Sequence, residues 1–185
     1  MIAAFSSSSP VASVALFDAS GQLVFAGSDT AGYRAGEVLL NLLTKGLEQA
    51  GIGLGDLAGF AADLGPGSFT GSRVAIVLAK TLAYAQGVDA AGATAFDLIS
   101  HTGKVVFPSK RGEFFVREPG QVPSRTVELP AGSFTGFGFG GDDHFPTATG
   151  FGPIFSLLDW QAPEQLMPNY LIEPSISVSK RRLPE

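Results

Sequence analysis

The sequence predicts an α/β fold in which helices flank a mixed β-sheet. Three observations point to it: strand-like runs at the N-terminus, two helical stripes separated by a short apolar segment, and a glycine loop where that segment meets the second helix. Residues 2–5, 11–17 and 22–26 read as a meander, punctuated by SSSSP at 6–10 and by turn residues at 18–21. Residues 37–50 place Val38, Leu39, Leu42, Leu43 and Leu47 on one helical stripe, and Gly51 supplies a C-terminal stop. Residues 59–64 form the short apolar segment, GPGSFTG follows at 65–71, and a second helix is expected over 71–85.

Beyond residue 90 the periodicity weakens. Residues 104–107 and 114–117, joined by PSKRGE, still read as a hairpin. Residues 132–155 are rich in glycine and phenylalanine with no sustained period, and their aromatics argue for an irregular packed lobe rather than a flexible tether. The expected organisation is an N-terminal domain over 1–100 and a shortened, irregular second lobe over 101–185.

With 185 residues, 45% of them hydrophobic, the chain is large enough to bury a core. Its net charge of −5 supplies no general attraction for phosphate backbones, so contact with RNA is expected only through a partner. No cysteine is present, which excludes disulfides, thiol nucleophiles and cysteine metal sites. The N-terminus lacks the basic start and apolar stretch of a secretory signal, and no apolar run has the length of a membrane span. A cytoplasmic protein without membrane association is expected.

GPGSFTG is the segment richest in chemical possibility. Gly65 and Gly67 permit tight backbone conformations, while Ser68 or Thr70 is placed to cap the following helix. Amides aimed outward from Gly65, Gly67, Ser68, Thr70 and Gly71 at a helix N-terminus suit a phosphate or carboxylate. The same composition equally serves a closely packed strand-to-helix turn, and the loop lacks the Lys-Ser/Thr ending of a Walker A motif.

Along the second helix, Gly71, Ala75, Ala79 and Ala83 recur every four residues, a row of small side chains that another helix can approach closely. Val74, Val77, Leu78 and Leu82 flank it. Either a helix pair between two molecules or packing on the chain's own sheet satisfies this pattern.

No other group makes a strong case for catalysis. Ser6, Ser7, Ser8 and Ser9 lie where strand-turn-strand phosphate grips occur, but residues 1–17 contain no acid to hold Mg²⁺. His101 and His144 are too few and too distant for a multi-histidine metal site, and the adjacent Asp142, Asp143 and His144 are ill placed to converge on one ion. Ser68 as a nucleophile needs a base such as His101 beside it. No catalytic residue, no metal and no cofactor are therefore expected.

The segment GPGSFTGSRVAIVLAKTLAYA resembles the signature of the TsaB (YeaZ) family, within the actin-like, ribonuclease H-like superfamily. The resemblance extends to SSSSPVASVALFD, EVLLNLLTKGLEQAGIGLGDLAGFAADL, PSKRGEFFV and PNYLIEP, and leaves out 118–165, which is shorter and more glycine-rich than expected of that family's second lobe. It implies a non-catalytic paralogue of TsaD, the subunit that transfers threonylcarbamoyl to adenosine 37 of tRNAs reading ANN codons. It also implies pairing with a TsaD-like partner, a TsaE-like ATPase in the assembly, homodimers when alone, and tRNA contact only through the complex. Carried onto this chain, the interface comprises Val38, Leu39, Leu42 and Leu43 on the first helix and Gly71, Ala75, Leu78, Ala79 and Leu82 on the second. Two departures accompany it. The family's Asp-Thr-Ser at the end of the first strand is Ser6-Ser7-Ser8 here, and its His-Ser-Glu-like helix start is Ala35-Gly36-Glu37. The alternative class is a nucleotide-dependent enzyme of the same superfamily, an ATPase or small-molecule kinase. A basic tail, Lys180, Arg181 and Arg182, reads as a solvated terminus.

Overall fold

A computed structural model of the chain describes residues 1–110 and 112–171. The first sheet has strand order β3-β2-β1-β4-β5, built from β1 (Ile2–Ser6), β2 (Val11–Phe17), β3 (Leu23–Thr30), β4 (Gly59–Asp63) and β5 (Asp89–Ala93). The β1-β2-β3 meander is antiparallel, whereas β4 and β5 run parallel to β1. Each parallel strand is reached by a helical crossover, α1 (Ala35–Ala50) before β4 and α2 (Phe69–Gln86) before β5. The mixed sheet expected from the sequence is therefore present, with β3 running four residues beyond the expected 22–26 and α2 starting two residues earlier than 71.

Side chains alternate across the sheet with the period of two that a strand imposes. Ala3, Phe5, Val14, Leu16, Phe60 and Ala62 face α1 and α2, which contribute Leu39, Leu43, Ala75, Ile76, Ala79 and Ala83 to one core. Ala4, Ala15, Phe17 and Ala61 face the opposite way, onto Leu98, Ala148, Phe151 and Ile154. Both faces of the central strands are thus sealed, which explains their near-continuous apolar runs. Gly51 and Gly87, each at φ 66°, end α1 and α2 in left-handed C-caps.

The small-residue row lies inward. Ala75 and Ala79 are fully buried, Gly71 is buried, and the row lets α2 lie close on β1 and β4. Leu39 and Leu43 are equally committed to the core. Gly71, Ala75, Ala79, Leu39 and Leu43, counted in the expected interface, thus make their contacts within the chain, where the small-residue row packs on the sheet.

A short helix α3 (Ala95–Ile99) leads to a second sheet of order β8-β7-β6-β9, with β6 (Val105–Pro108), β7 (Phe114–Arg117), β8 (Ser124–Thr126) and β9 (Thr135–Gly136). The expected hairpin is β6-β7, paired antiparallel. Phe107 is its hub, with ring centroids 5.0 Å from Phe96, 5.5 Å from Phe115 and 5.3 Å from Phe137. Phe137 in turn meets Phe145 at 4.9 Å. The Gly/Phe-rich segment is thus packed, as its aromatics suggest, and it divides its loyalties. Residues up to 145 wrap the second sheet, while a 3₁₀-helical stretch, Ala148–Leu157, returns to cover the far face of the first. The end of PNYLIEP and the basic tail lie outside the described residues.

Candidate functional site

The serine run and the glycine loop, separate features of the sequence, meet at the C-terminal ends of β1 and β4. This is where parallel strands of an α/β sheet commonly present a ligand crevice. Gly67 and Gly71 lie directly against the serine backbone: a Cβ on either would collide with the carbonyl oxygen of Ser8 or of Ser7, respectively. Ser68 N–H donates to the Ser8 carbonyl at 2.7 Å, and the Ser7 hydroxyl donates to the Gly71 carbonyl at 2.8 Å. Ser68 Oγ accepts from Gly71 N–H at 3.1 Å, the N-cap role expected of it. The amides of Gly65, Ser68 and Gly71 are therefore all bonded within the chain. Gly67 and Ser68 line an open cleft, Thr70 lies on the opposite flank of the loop, and Gly65 and Gly71 are buried.

Beneath the loop sits Asp63, fully buried at the end of β4. Its Oδ2 lies 2.7 Å from Ser6 Oγ and 2.5 Å from Ser8 Oγ, and its Oδ1 accepts Gly65 N–H at 2.8 Å. Burial pushes this carboxyl above the usual aspartate range, with the hydrogen bonds from Ser8, Gly65 and Ser6 acting in the opposite sense. Asp63 is the residue that the sequence reading passed over. The signal is an acid inside the apolar segment 59–64, two residues before the glycine loop. It places a carboxyl against Ser6, the position at which the resembled family carries its own aspartate.

The cleft above this cluster has a volume of about 480 Å³ and is lined by Ser8, Ser9, Thr30, Gly67, Ser68 and Lys110 together with Phe115 and Phe137. Neither histidine lines it, and the hydroxyl of Ser68 is occupied with its cap. Among the described residues no group of three or more His, Asp or Glu side chains is gathered as for a metal ion. Asp143 instead accepts Gly138 N–H at 2.7 Å, and His144 N–H donates to the Gly136 carbonyl at 2.7 Å, so this trio shapes a loop. His101 sits elsewhere, 3.7 Å from Asp97, whose carboxylate is held by Arg117 at 2.6 Å. Arg117 also donates to the carbonyls of Ser100 and Gly103, tying α3 to β7.

A second concavity, also about 480 Å³ and mostly apolar, runs between the outer faces of α1 and α2. Gly36, Leu40, Phe69, Thr70, Val74, Val77 and Leu78 form its walls, with Arg73 stacked on Phe69 at 3.8 Å. Leu40 is 49% and Val77 59% exposed, so each leaves about half its side chain in water. Of the interface residues expected from the sequence, Leu78 lines this groove, while Val38, Leu42 and Leu82 are half-buried against the core. Val74 and Val77, which flank the small-residue row in the sequence, line it as well, whereas Leu40 and Phe69 are not marked by any stripe, because a stripe count alone does not reveal which side of a helix meets the sheet. No helix among the described residues is long and apolar enough to cross a membrane.

Comparisons with known proteins converge on this architecture. A family model described as TsaD: tRNA N6-adenosine threonylcarbamoyltransferase matches residues 23–110, from β3 through α1, the glycine loop and α2 to β6. An uncharacterized protein with similarity to peptidase YEAZ from Pseudomonas aeruginosa is similar with a TM-score of 0.79 at 19% identity, over 92% of this chain and 99% of that one. YeaZ from Pseudomonas aeruginosa is similar with a TM-score of 0.75 at 20% identity, again over 92% and 99%. At such identities the likeness is one of fold, and it matches the actin-like α/β arrangement expected from the motifs. No curated protein sequence matches the chain.

Proposed function

We propose, for a chain that carries a TsaD-family domain and has the fold of YeaZ, that it is a non-catalytic accessory subunit: it pairs with a TsaD-like catalytic paralogue and supports threonylcarbamoylation of adenosine 37 in tRNAs reading ANN codons. The observation that carries this reading is the apolar groove between α1 and α2. Exposed aliphatic and aromatic residues gathered into one concavity mark interaction surfaces more often than they mark ordinary solvated faces. The contact residues in this reading are Leu40, Phe69, Val74, Val77 and Leu78, backed by Val38, Leu42 and Leu82. The same surface serves a homodimer when the paralogue is absent. A TsaE-like ATPase joins the assembly, tRNA is reached only through it, and the expected setting is the cytoplasm.

The site at the glycine loop supports a structural role for GPGSFTG. Its Gly65 amide is spent on the Asp63 carboxyl of β4, its Ser68 amide on the Ser8 carbonyl and its Gly71 amide on the Ser68 hydroxyl, and the residues lining the cleft above include no acid to position Mg²⁺. The rival reading, a nucleotide-dependent enzyme, draws on the cleft itself, where Lys110 and hydroxyls of Ser8, Ser9 and Ser68 border a space of ligand size. The experiment that separates the two is reconstitution. With threonylcarbamoyl-adenylate and tRNA, the chain alone is expected to give no modified adenosine and to raise the yield of the paralogue when added to it. Mg²⁺-dependent ATP turnover by the chain alone, abolished by Ser68→Ala, would establish the enzyme instead.

A further inference from the structure

The oxygens around Asp63 require one more proton than an ionised carboxylate leaves them. Oδ2 of Asp63 is 2.7 Å from Ser6 Oγ and 2.5 Å from Ser8 Oγ, and Ser6 Oγ is 2.8 Å from the carbonyl oxygen of Pro146. Each of these oxygen pairs is at hydrogen-bond distance and needs a proton between its members. Ser6 and Ser8 supply one each, so with Asp63 ionised one pair faces lone pair to lone pair. Pro146 is buried and its carbonyl has no other described donor, so Ser6 cannot serve the carboxylate without abandoning it. With Asp63 protonated on Oδ2 the count closes. The acid donates to Ser6 Oγ, Ser6 donates to Pro146, and the remaining acceptor capacity of Oδ2 takes the Ser8 hydroxyl at 2.5 Å and the Ser8 amide at 3.3 Å.

We propose that Asp63 is held as a neutral carboxylic acid and acts as a hydrogen-bond donor, relaying through Ser6 to pin residue 146, and with it the returning segment Ala148–Leu157, onto the end of β1. The adjacent bond from Ala148 N–H to Ser13 Oγ at 2.8 Å fixes the same crossing to β2. Groups facing the carboxyl are Ser6 at the end of β1, Ser8 in the turn after it, Ala93 paired beside it on β5, the Gly65 amide from the loop and the Pro146 carbonyl beyond Ser6, none of them charged. Burial raises the proton affinity in the same sense, and no neighbouring charge contributes to the shift.

The consequence for stability has a definite sign. Because the folded chain holds this proton more tightly than the unfolded chain, the contribution of Asp63 to stability is fully present below the ordinary aspartate range and is lost as pH rises through the folded value. An uncharged isostere removes that loss. The test is the side-chain carboxyl ¹³C shift of Asp63 in the full chain, assigned by its absence in Asp63→Asn, followed between about pH 5 and 8, where ordinary aspartates are ionised. A shift that stays at the protonated position through neutral pH, with Asp63→Asn unfolding at a denaturant midpoint no lower than the parent, is expected. A carboxylate shift at neutral pH overturns the proposal, and that reading of the parent chain decides the matter even where Asp63→Asn does not fold.

Discussion

Gly71 at the start of α2 sits directly over Ser7, so close that no methyl group fits between its Cα and the Ser7 carbonyl, while its own carbonyl accepts the Ser7 hydroxyl at 2.8 Å. The helix and the end of β1 are therefore held in backbone contact. Gly71→Ala must displace one from the other, at a cost of about 1–3 kcal/mol, the usual range for overpacking a close-packed site. Urea unfolding of the variant measures it. A midpoint equal to the parent's would show that α2 moves away freely and that the contact does not set the loop.

Leu39 and Leu40 are neighbours in α1 with opposite environments, one fully buried and one 49% exposed. Leu39→Ala is expected to lose about 2–5 kcal/mol of stability through the cavity it leaves among Phe5, Val14 and the α2 alanines. Leu40→Ala is expected to change stability by no more than about 0.5 kcal/mol and to weaken association with a partner. Thermal melts and a binding isotherm on both variants separate the inward stripe from the outward one.

Arg117 is 8% exposed and holds Asp97 and the carbonyls of Ser100 and Gly103. Arg117→Met keeps much of the stem packing but strips three acceptors of their donor. A loss of about 2 kcal/mol is expected, since hydrogen bonds to charged groups contribute more than neutral ones. Because Asp97 remains partly exposed, water recovers part of its hydration, and a loss well beyond that figure would mean that the network also supports the second sheet. Denaturant unfolding of the variant provides the comparison.

The parts of the fold that the sequence exposes are those governed by short-range rules. The meander follows from strand-like apolar runs and turn residues, α1 from its leucine stripe and Gly51, and the β6-β7 hairpin from β-formers around PSKRGE. Strand β5 escapes detection because Asp89–Ala93 is mostly alanine and glycine, a composition without strand preference that is ordered by pairing beside β4. The Gly/Phe-rich segment defeats periodicity because its phenylalanines pack around Phe107 and under the first sheet from irregular backbone.

The candidate site was half legible. Local chemistry identified the glycine loop, and Ser68 is the cap that it suggested, but the partnership of that loop with the serine run spans more than fifty residues of sequence. Asp63 acquires its meaning only from that long-range contact. For α2 the pattern leaves the neighbour open. Small residues every four positions define a face suited to close approach, but whether sheet or partner approaches is decided by the tertiary arrangement, and here it is the sheet.

Whether the groove between α1 and α2 is a subunit interface is decided by light-scattering mass after size exclusion, for the chain alone and mixed with the TsaD-like protein of the same organism. A homodimer that converts to a one-to-one heterodimer is expected, together with a Val77→Glu variant that melts like the parent yet stays monomeric and ignores the paralogue, because Val77 is 59% exposed in the single chain and would be buried only by association. A parent chain that remains monomeric alongside the paralogue, or a Val77→Glu chain that associates as well as the parent, would contradict it.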